Sequence, residues 1–354
     1  MGDPAPAPQR LPAQEALEAA RESLKGEPST TWAGPSRLGP VGRLLRRVLW
    51  RLLRPYDVRR REVEGFLLTA IDRDWAPLRT EAANVPAAIT GIDVVEVDTP
   101  IGSFVLDRGD ALVRPTIEEH KGWGYDVATL LHESLRPGMR FLDVGANIGY
   151  FSVLGSHLVG EAGSVVAVEP DPVNLQLLRA NLWRNGRSNV SVLPIAADSR
   201  LGHVPLVIFP EGGAATEVTR DVSYYETDSR VDVKEVGKIM APTAPLDELI
   251  VPPIDVMKLD TQFTEHDVIE GLRETIAASP TLLVITEFGP RELRRRRTDP
   301  LAVLDSWSGL GFDIKVLRGT EEVPMAFEEI VSAPNDVPLG NGPFFDLVMR
   351  KVPG

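Results

Sequence analysis

The stretch Phe141-Leu142-Asp143-Val144-Gly145-Ala146-Asn147-Ile148-Gly149-Tyr150-Phe151-Ser152 constrains this chain more than any other, because an apolar run meets two glycines and then takes up helical periodicity. Residues 140–144 read as a buried strand, Gly145 and Gly149 as points where the backbone turns tightly or approaches a ligand, and residues 150–158 as the following helix. A strand, a glycine turn and a helix N-terminus in that order make a nucleotide-binding corner. Its candidate ligand contacts are Asp143, Gly145, Ala146, Asn147, Gly149 and Tyr150. The spacing is D-x-G-x-x-x-G and not the G-x-G-x-x-G of dinucleotide binders, since Ala146, Asn147 and Ile148 widen the loop. A cofactor other than a nicotinamide dinucleotide is implied.

Downstream, Ser164-Val165-Val166-Ala167-Val168-Glu169 is a second apolar strand ending in an acid, about twenty residues past the turn, where doubly wound folds place a ribose-binding carboxylate. Two carboxylate oxygens can accept from both ribose hydroxyls. An isolated strand with a solvated terminal Glu would look the same; the glycine turn before it favours the ligand role. A third strand is expected over residues 189–194, and Asp198 after it suits an adenine amino group, against the plainer reading of a turn acid.

With these residues in view, the chain resembles the FkbM-type methyltransferases, enzymes that depend on S-adenosylmethionine and mostly O-methylate sugars and polyketide-like natural products. The resemblance spans about residues 91–352. It rests on Asp143-Val-Gly-Ala-Asn-Ile-Gly149, on Glu169-Pro-Asp-Pro-Val-Asn174 leading to Asn181 and Asn185, and on Leu246-Asp247-Glu248 followed by Ile254-Asp-Val-Met-Lys258-Leu-Asp260 and Glu265. It implies an α/β fold with a class I methyltransferase Rossmann-like sheet, seven-stranded and mostly parallel with a late antiparallel hairpin strand. It also implies S-adenosylmethionine as cofactor and a small-molecule or glycan hydroxyl as acceptor. One departure stands out: the family's turn after the Lys-x-Asp strand usually carries a glycine, and Thr261-Gln262-Phe263-Thr264 has none.

Composition bounds the alternatives. The 354 residues, 43% of them hydrophobic, can bury one full α/β core and still carry an extension. Cysteine is absent, which excludes disulfides, zinc-thiolate sites and a Cys nucleophile. A formal net charge of -13 argues against nucleic acid as partner. The five histidines show no H-E-x-x-H or His-x-His spacing. No metal site is assigned, although Asp260, Glu265 and Glu287 are oxygen donors near neighbouring strand ends. No apolar run approaches a membrane span and the N-terminus lacks signal-peptide order, so a cytoplasmic location is expected.

In chain order, residues 1–40 are rich in Pro, Ala, Gly and Ser and read as a mostly disordered tail with a short helix near residues 13–24. Residues 41–90 read as a basic helical extension. Over 41–54, Leu44, Leu45, Val48, Leu49, Leu52 and Leu53 form one helical face, with Arg43, Arg46, Arg47, Arg51 and Arg54 opposite. Such a helix suits an anionic membrane surface, a protein partner or internal packing. A second helix follows over 62–75. Residues 91–354 are then the catalytic domain, opening with a hairpin over 92–97 and 102–106, a Glu118-to-Tyr125 stretch that the resemblance places above the cofactor, and a helix over 126–135. Further helices are expected over 172–185, 265–276 and 301–310, with strands over 204–209, 253–259, 281–287, 312–317 and 344–349. Residues 210–238 read as a long excursion, and Arg294-Arg295-Arg296-Arg297 as a loop that could meet an anionic acceptor or simply be solvated.

For catalysis, Asp260 ends a strand whose carboxyl edge opens on the crevice where ligands bind, and Lys258 shares its face by strand alternation. Asp260 is the candidate proton acceptor, Lys258 the group that keeps it ionised, and His120 or Glu287 the alternative. Alternatives to O-methyl transfer are N-methyl transfer on the same scaffold, or a non-catalytic adaptor anchored through its basic helix.

Overall fold

In the computed structural model the described residues are 91–208, 217–218, 237–332 and 345–352. The chain divides into two units, Met1–Val85 and Pro86–Gly354. The expected tail, the basic helix over 41–54 and the helix over 62–75 lie outside the described residues, as does most of the 210–238 excursion. The strands are β1 (Val94–Thr99), β2 (Gly102–Asp107), β3 (Arg140–Val144), β4 (Ser164–Val168), β5 (Val190–Leu193), β6 (Ala196–Ala197), β7 (Gly202–Ile208), β8 (Glu217–Val218), β9 (Gly237–Ala244), β10 (Val256–Leu259), β11 (Leu283–Phe288), β12 (Phe312–Arg318), β13 (Glu321–Val323) and β14 (Phe345–Lys351). The α-helices are α1 (Val113–His120), α2 (Tyr125–Ser134), α3 (Tyr150–Val159), α4 (Pro172–Arg184), α5 (Glu265–Glu270), α6 (Arg273–Ala277), α7 (Pro290–Arg295), α8 (Pro300–Gly309) and α9 (Phe327–Ser332).

The central sheet runs β13-β12-β14-β11-β10-β3-β4-β5. Strands β5, β4, β3, β10 and β11 pair in parallel, and β14 enters antiparallel between β11 and β12. This is the expected class I methyltransferase sheet with one strand added, since β13 pairs with β12 beyond the seventh. Alternation along each strand sends Leu142, Val144, Met257, Leu259 and Val284 into one apolar layer, and Phe141, Val256, Leu283, Ile285 and Val348 into the other. Asp143, Lys258, Asp260, Glu287 and Asp346 therefore all belong to the second face, the one that α3 covers.

The expected third strand forms as β5, and the residues after it leave the central sheet. Pro194 has no N–H to continue the ladder, so β5 stops at Leu193 and β6 joins β9, β7 and β8 in a separate four-stranded sheet. The hairpin is tighter than expected, with Thr99 paired to Gly102 across a two-residue turn. The helix expected over 265–276 breaks into α5 and α6, because Gly271 packs against the Asp198 carbonyl and the Asp247 carboxylate takes the N–H groups of Glu274 and Thr275 at 2.9 and 2.8 Å. The arginine run is not a loop: α7 covers its first half, Arg294 donates to the Val331 carbonyl and Arg295 pairs with Glu292 at 3.0 Å. Arg294 and Arg295 are thus engaged within the domain, while Arg294 and Arg297 remain exposed.

Two asparagines of α4 treat β2 as a neighbouring strand would. Asn181 accepts from the Val105 N–H at 2.6 Å and donates to the Val105 carbonyl at 3.2 Å; Asn185 does the same to Ser103 at 3.0 and 2.9 Å. Four helical residues rise about 6 Å, and two residues of strand about 6.7 Å, so side chains four apart on the helix meet peptide groups two apart on the strand.

Candidate active site

The sheet reverses its winding between β3 and β10, and their carboxyl ends form the crevice where open α/β sheets bind ligands. The loop leaving β3 is closed on itself. The N–H groups of Gly145 and Ala146 both donate to the Val168 carbonyl, at 2.9 and 3.0 Å, and that of Gly149 to Ala146 at 2.8 Å. Asn147 donates its N–H to Glu169 at 2.8 Å, while its side chain accepts from Ile148 at 2.6 Å. No N–H of this loop is left over for a ligand. The two glycines answer to protein packing: at φ 75° and 86°, a Cβ on Gly145 would collide with the Asp260 carbonyl, and one on Gly149 with Leu178.

Glu169 is buried beside this loop, its second oxygen accepting from the Asp171 N–H at 2.9 Å and the Asn174 side chain at 3.5 Å. Burial pushes its carboxyl up to about 7, against the pull of those backbone donors. Asp143 is fully buried: Ser152 donates to one oxygen at 2.6 Å, and the other has no hydrogen-bond partner, with Lys258 Nζ at 4.0 Å. Burial raises Asp143, and Lys258 opposes that shift.

Lys258 joins the two halves of the crevice. Its Nζ donates to the Gly145 carbonyl at 2.9 Å, pairs with Asp260 at 3.1 Å and lies 5.4 Å from the centre of the Phe151 ring. Burial alone would lower its pKa, but Asp260 and Asp143 together hold it above the ordinary lysine range. The Asp260 side chain is 33% exposed and also accepts from Gln262 at 3.2 Å.

The turn after β10 keeps the backbone shape of a glycine turn without the glycine. Gln262 and Phe263 have φ of 55° and 72°, and one oxygen of buried Glu265 receives the N–H groups of Thr261 and Phe263 at 2.8 and 3.2 Å. Each left-handed residue costs about 1–2 kcal/mol. Phe263 is buried, with the Arg296 guanidinium 5.7 Å from its ring centre, and burying such a side chain contributes about 1.5–3 kcal/mol in return. Glu265 is thereby tied to the turn, and burial pushes it up to about 7.

Other expected residues have surroundings of their own. Tyr150 is buried, stacked on Phe104 with centroids 5.2 Å apart, and its hydroxyl meets the Trp123 backbone; with Gly124 against Phe151, this pins the 118–125 stretch to the start of α3. His120 ends α1 with its side chain 65% exposed, near Glu119 at 4.0 Å, and no contact joins it to Asp260. Asp198 is buried and caps its own turn, accepting from Arg200 N–H at 3.1 Å. Asp346 went unnoticed in the sequence, although an acid between Phe345 and Leu347 on an apolar strand marks it. It lies opposite Glu287 across the β11–β14 pair.

The model of the FkbM methyltransferase domain matches residues 143–314. These residues are an FkbM methyltransferase domain. Its cofactor is S-adenosylmethionine. Among curated relatives, the chain is 41% identical over 69 residues to the protein-L-isoaspartate O-methyltransferase of Methanothrix thermoacetophila, covering 20% of this chain and 32% of that protein. It is 43% identical over 56 residues to a probable cobalt-precorrin-6B C(15)-methyltransferase of Sulfolobus acidocaldarius, covering 16% and 29%. The chain thus spans about a third of the length of the curated relatives it matches. A solved FkbM methyltransferase from Methylobacillus flagellatus is similar at 16% identity and a TM-score of 0.35, over 63% of this chain and 50% of that one.

The donor set of the FkbM domain fits its cofactor: Glu169 keeps acceptor capacity for ribose hydroxyls, and the buried Asp143 oxygen without a partner lies at the loop where the amino-acid end would be held.

Proposed function

We propose that the chain is an S-adenosylmethionine-dependent O-methyltransferase acting on a hydroxyl of a sugar, glycan or glycosylated polyketide-like metabolite. The sugar class rests on the family resemblance; the O-methyl chemistry rests on where Asp260 lies. Its partly exposed carboxylate is at the crevice mouth, 3.1 Å from a lysine that also holds the Gly145 carbonyl. When bound, the cofactor supplies a methyl group activated by a positive sulfur. Asp260 orients the acceptor hydroxyl and takes its proton, while Lys258 keeps the carboxylate ionised and fixes it relative to the β3 loop. Alignment contributes most, since well-oriented groups reach effective molarities of about 10⁵–10⁸ M, whereas a positioned base adds about 10²–10⁴-fold. Incubation with methyl-labelled cofactor and a glycoside panel, read by mass spectrometry, should yield a methyl ether. Asp260→Asn should lower that turnover by at least about 10²-fold with cofactor affinity nearly unchanged. Turnover within a few-fold of the original protein would sink the assignment of Asp260.

A further inference from the structure

Three neighbouring strands carry acids at one level, at the same edge of the sheet. Leu259 is in register with Thr286 and Glu287 with Asp346, so Asp260, Glu287 and Asp346 stand side by side on β10, β11 and β14, on one face and about 4.8 Å apart strand to strand. The candidate cofactor residues lie at β3 and β4; Glu287 and Asp346 lie on the far side of β10.

This row is short of positive charge. Lys258 is the cation that Glu287 and Asp346 both feel, and it is already held by Asp260 and the Gly145 carbonyl. Against it, Glu287 faces Asp260, Glu265 and Asp346, and Asp346 also faces Asp126. Burial and these neighbouring acids raise Glu287 well above its ordinary range, and burial with Asp260 and Asp126 raises Asp346 to about 6. The independent sign of a ligand is Glu287 Oε2, which is buried and has no hydrogen-bond partner. A buried carboxylate oxygen without a donor is costly, and it is retained where something else supplies the donor.

We propose that Glu287 and Asp346 form an acceptor subsite for a protonated amine, so that the hydroxyl methylated beside Asp260 belongs to an amino sugar. An ammonium group brings three donors and the missing charge together, whereas a neutral hydroxyl would satisfy the oxygen and leave the charge unbalanced. A metal cation does not fit, because no group of three or more acids and histidines among the described residues is arranged to hold one. The subsite rests on the methyl-transfer reading, and the two fail separately.

The test uses the full chain saturated with S-adenosylhomocysteine and titrated with glucosamine or glucose at pH 7, followed by ligand-observed NMR. Glucosamine should bind at least tenfold more tightly than glucose. Glu287→Gln with Asp346→Asn should abolish that preference, each single change should reduce it at least threefold, and S-adenosylhomocysteine affinity should stay within twofold. Equal affinity for the two sugars, no measurable glucosamine binding, or a preference that survives both changes overturns the subsite. Failure of the methyl-transfer reading would appear instead as no methyl ether formed from any glycoside of the panel, with the amine preference still present.

Discussion

The two halves of the crevice are built on opposite plans. On the β3–β4 side, the loop over 145–149 spends its N–H groups on Val168, Ala146, Asn147 and Glu169, and its glycines are locked by Asp260 and Leu178. On the β10–β11–β14 side, three carboxylates share one lysine, and a buried oxygen has no donor. The first half has its loop backbone fully paired before any ligand arrives, with one Asp143 oxygen left without a partner; the second leaves a Glu287 oxygen without a donor and three acids to one cation. That division suits a cofactor with one fixed shape and an acceptor whose chemistry must be read.

The sharpest way to break the closed half is Gly145→Ala. Its φ is left-handed and its Cβ would strike a backbone carbonyl that has little room to yield, so a loss of about 2–5 kcal/mol in stability is expected. Chemical denaturation measures it; a loss under 1 kcal/mol would mean that the β3 and β10 ends are looser than described.

Asn181 and Asn185 sharpen the comparison, because both clamp β2 but Asn181 also donates to the Ile148 carbonyl at 2.8 Å. Asn181→Leu leaves buried peptide groups unpaired and should cost about 2–4 kcal/mol, together with weaker S-adenosylhomocysteine binding. Asn185→Ala should lower stability by less and leave that affinity alone. If calorimetry finds affinity unchanged in both, the loop does not depend on α4.

Removing the ribose acceptor by Glu169→Ala should weaken cofactor binding by about 1.5–3 kcal/mol, the range for charge-assisted hydrogen bonds. An unaltered dissociation constant would shift ribose recognition to another residue.

The gentlest probe is pH. Glu169 and Glu265 are both pushed up to about 7 from 4.5. A carboxyl whose folded pKa is raised favours the folded state while protonated, so its contribution is present below about pH 4.5 and is lost as pH rises to about 7. The ligand-free melting temperature should therefore fall between pH 5 and pH 7.5. Ribose hydroxyls favour ionised Glu169, so the stabilisation by S-adenosylhomocysteine should grow a few-fold over the same range. A melting temperature that rises with pH would show that other groups dominate.

Much of the closed half was legible in the sequence because its determinants are local. Asp143, Gly145, Gly149 and Glu169 sit at fixed offsets from strand ends, and a backbone that must turn left-handed or pass close to a neighbour calls for glycine wherever it occurs. The missing glycine at Phe263 was legible too, but not its remedy, since Glu265 restrains that turn through two N–H groups and Arg296 covers the ring from just past the end of α7.

The sequence by itself determined the α/β rhythm, the strand-turn-helix corner and the pairing of Lys258 with Asp260, all of which follow from periodicities of two and 3.6 residues. Tertiary structure alone decided that Asp346 stands beside Glu287, that Tyr150 stacks on Phe104, that the first half of the arginine run is helical with Arg294 bound to Val331, and that Asn181 links hairpin to loop. Those contacts join residues from 33 to 76 positions apart. Their formation depends on strand order and register, which no local pattern encodes.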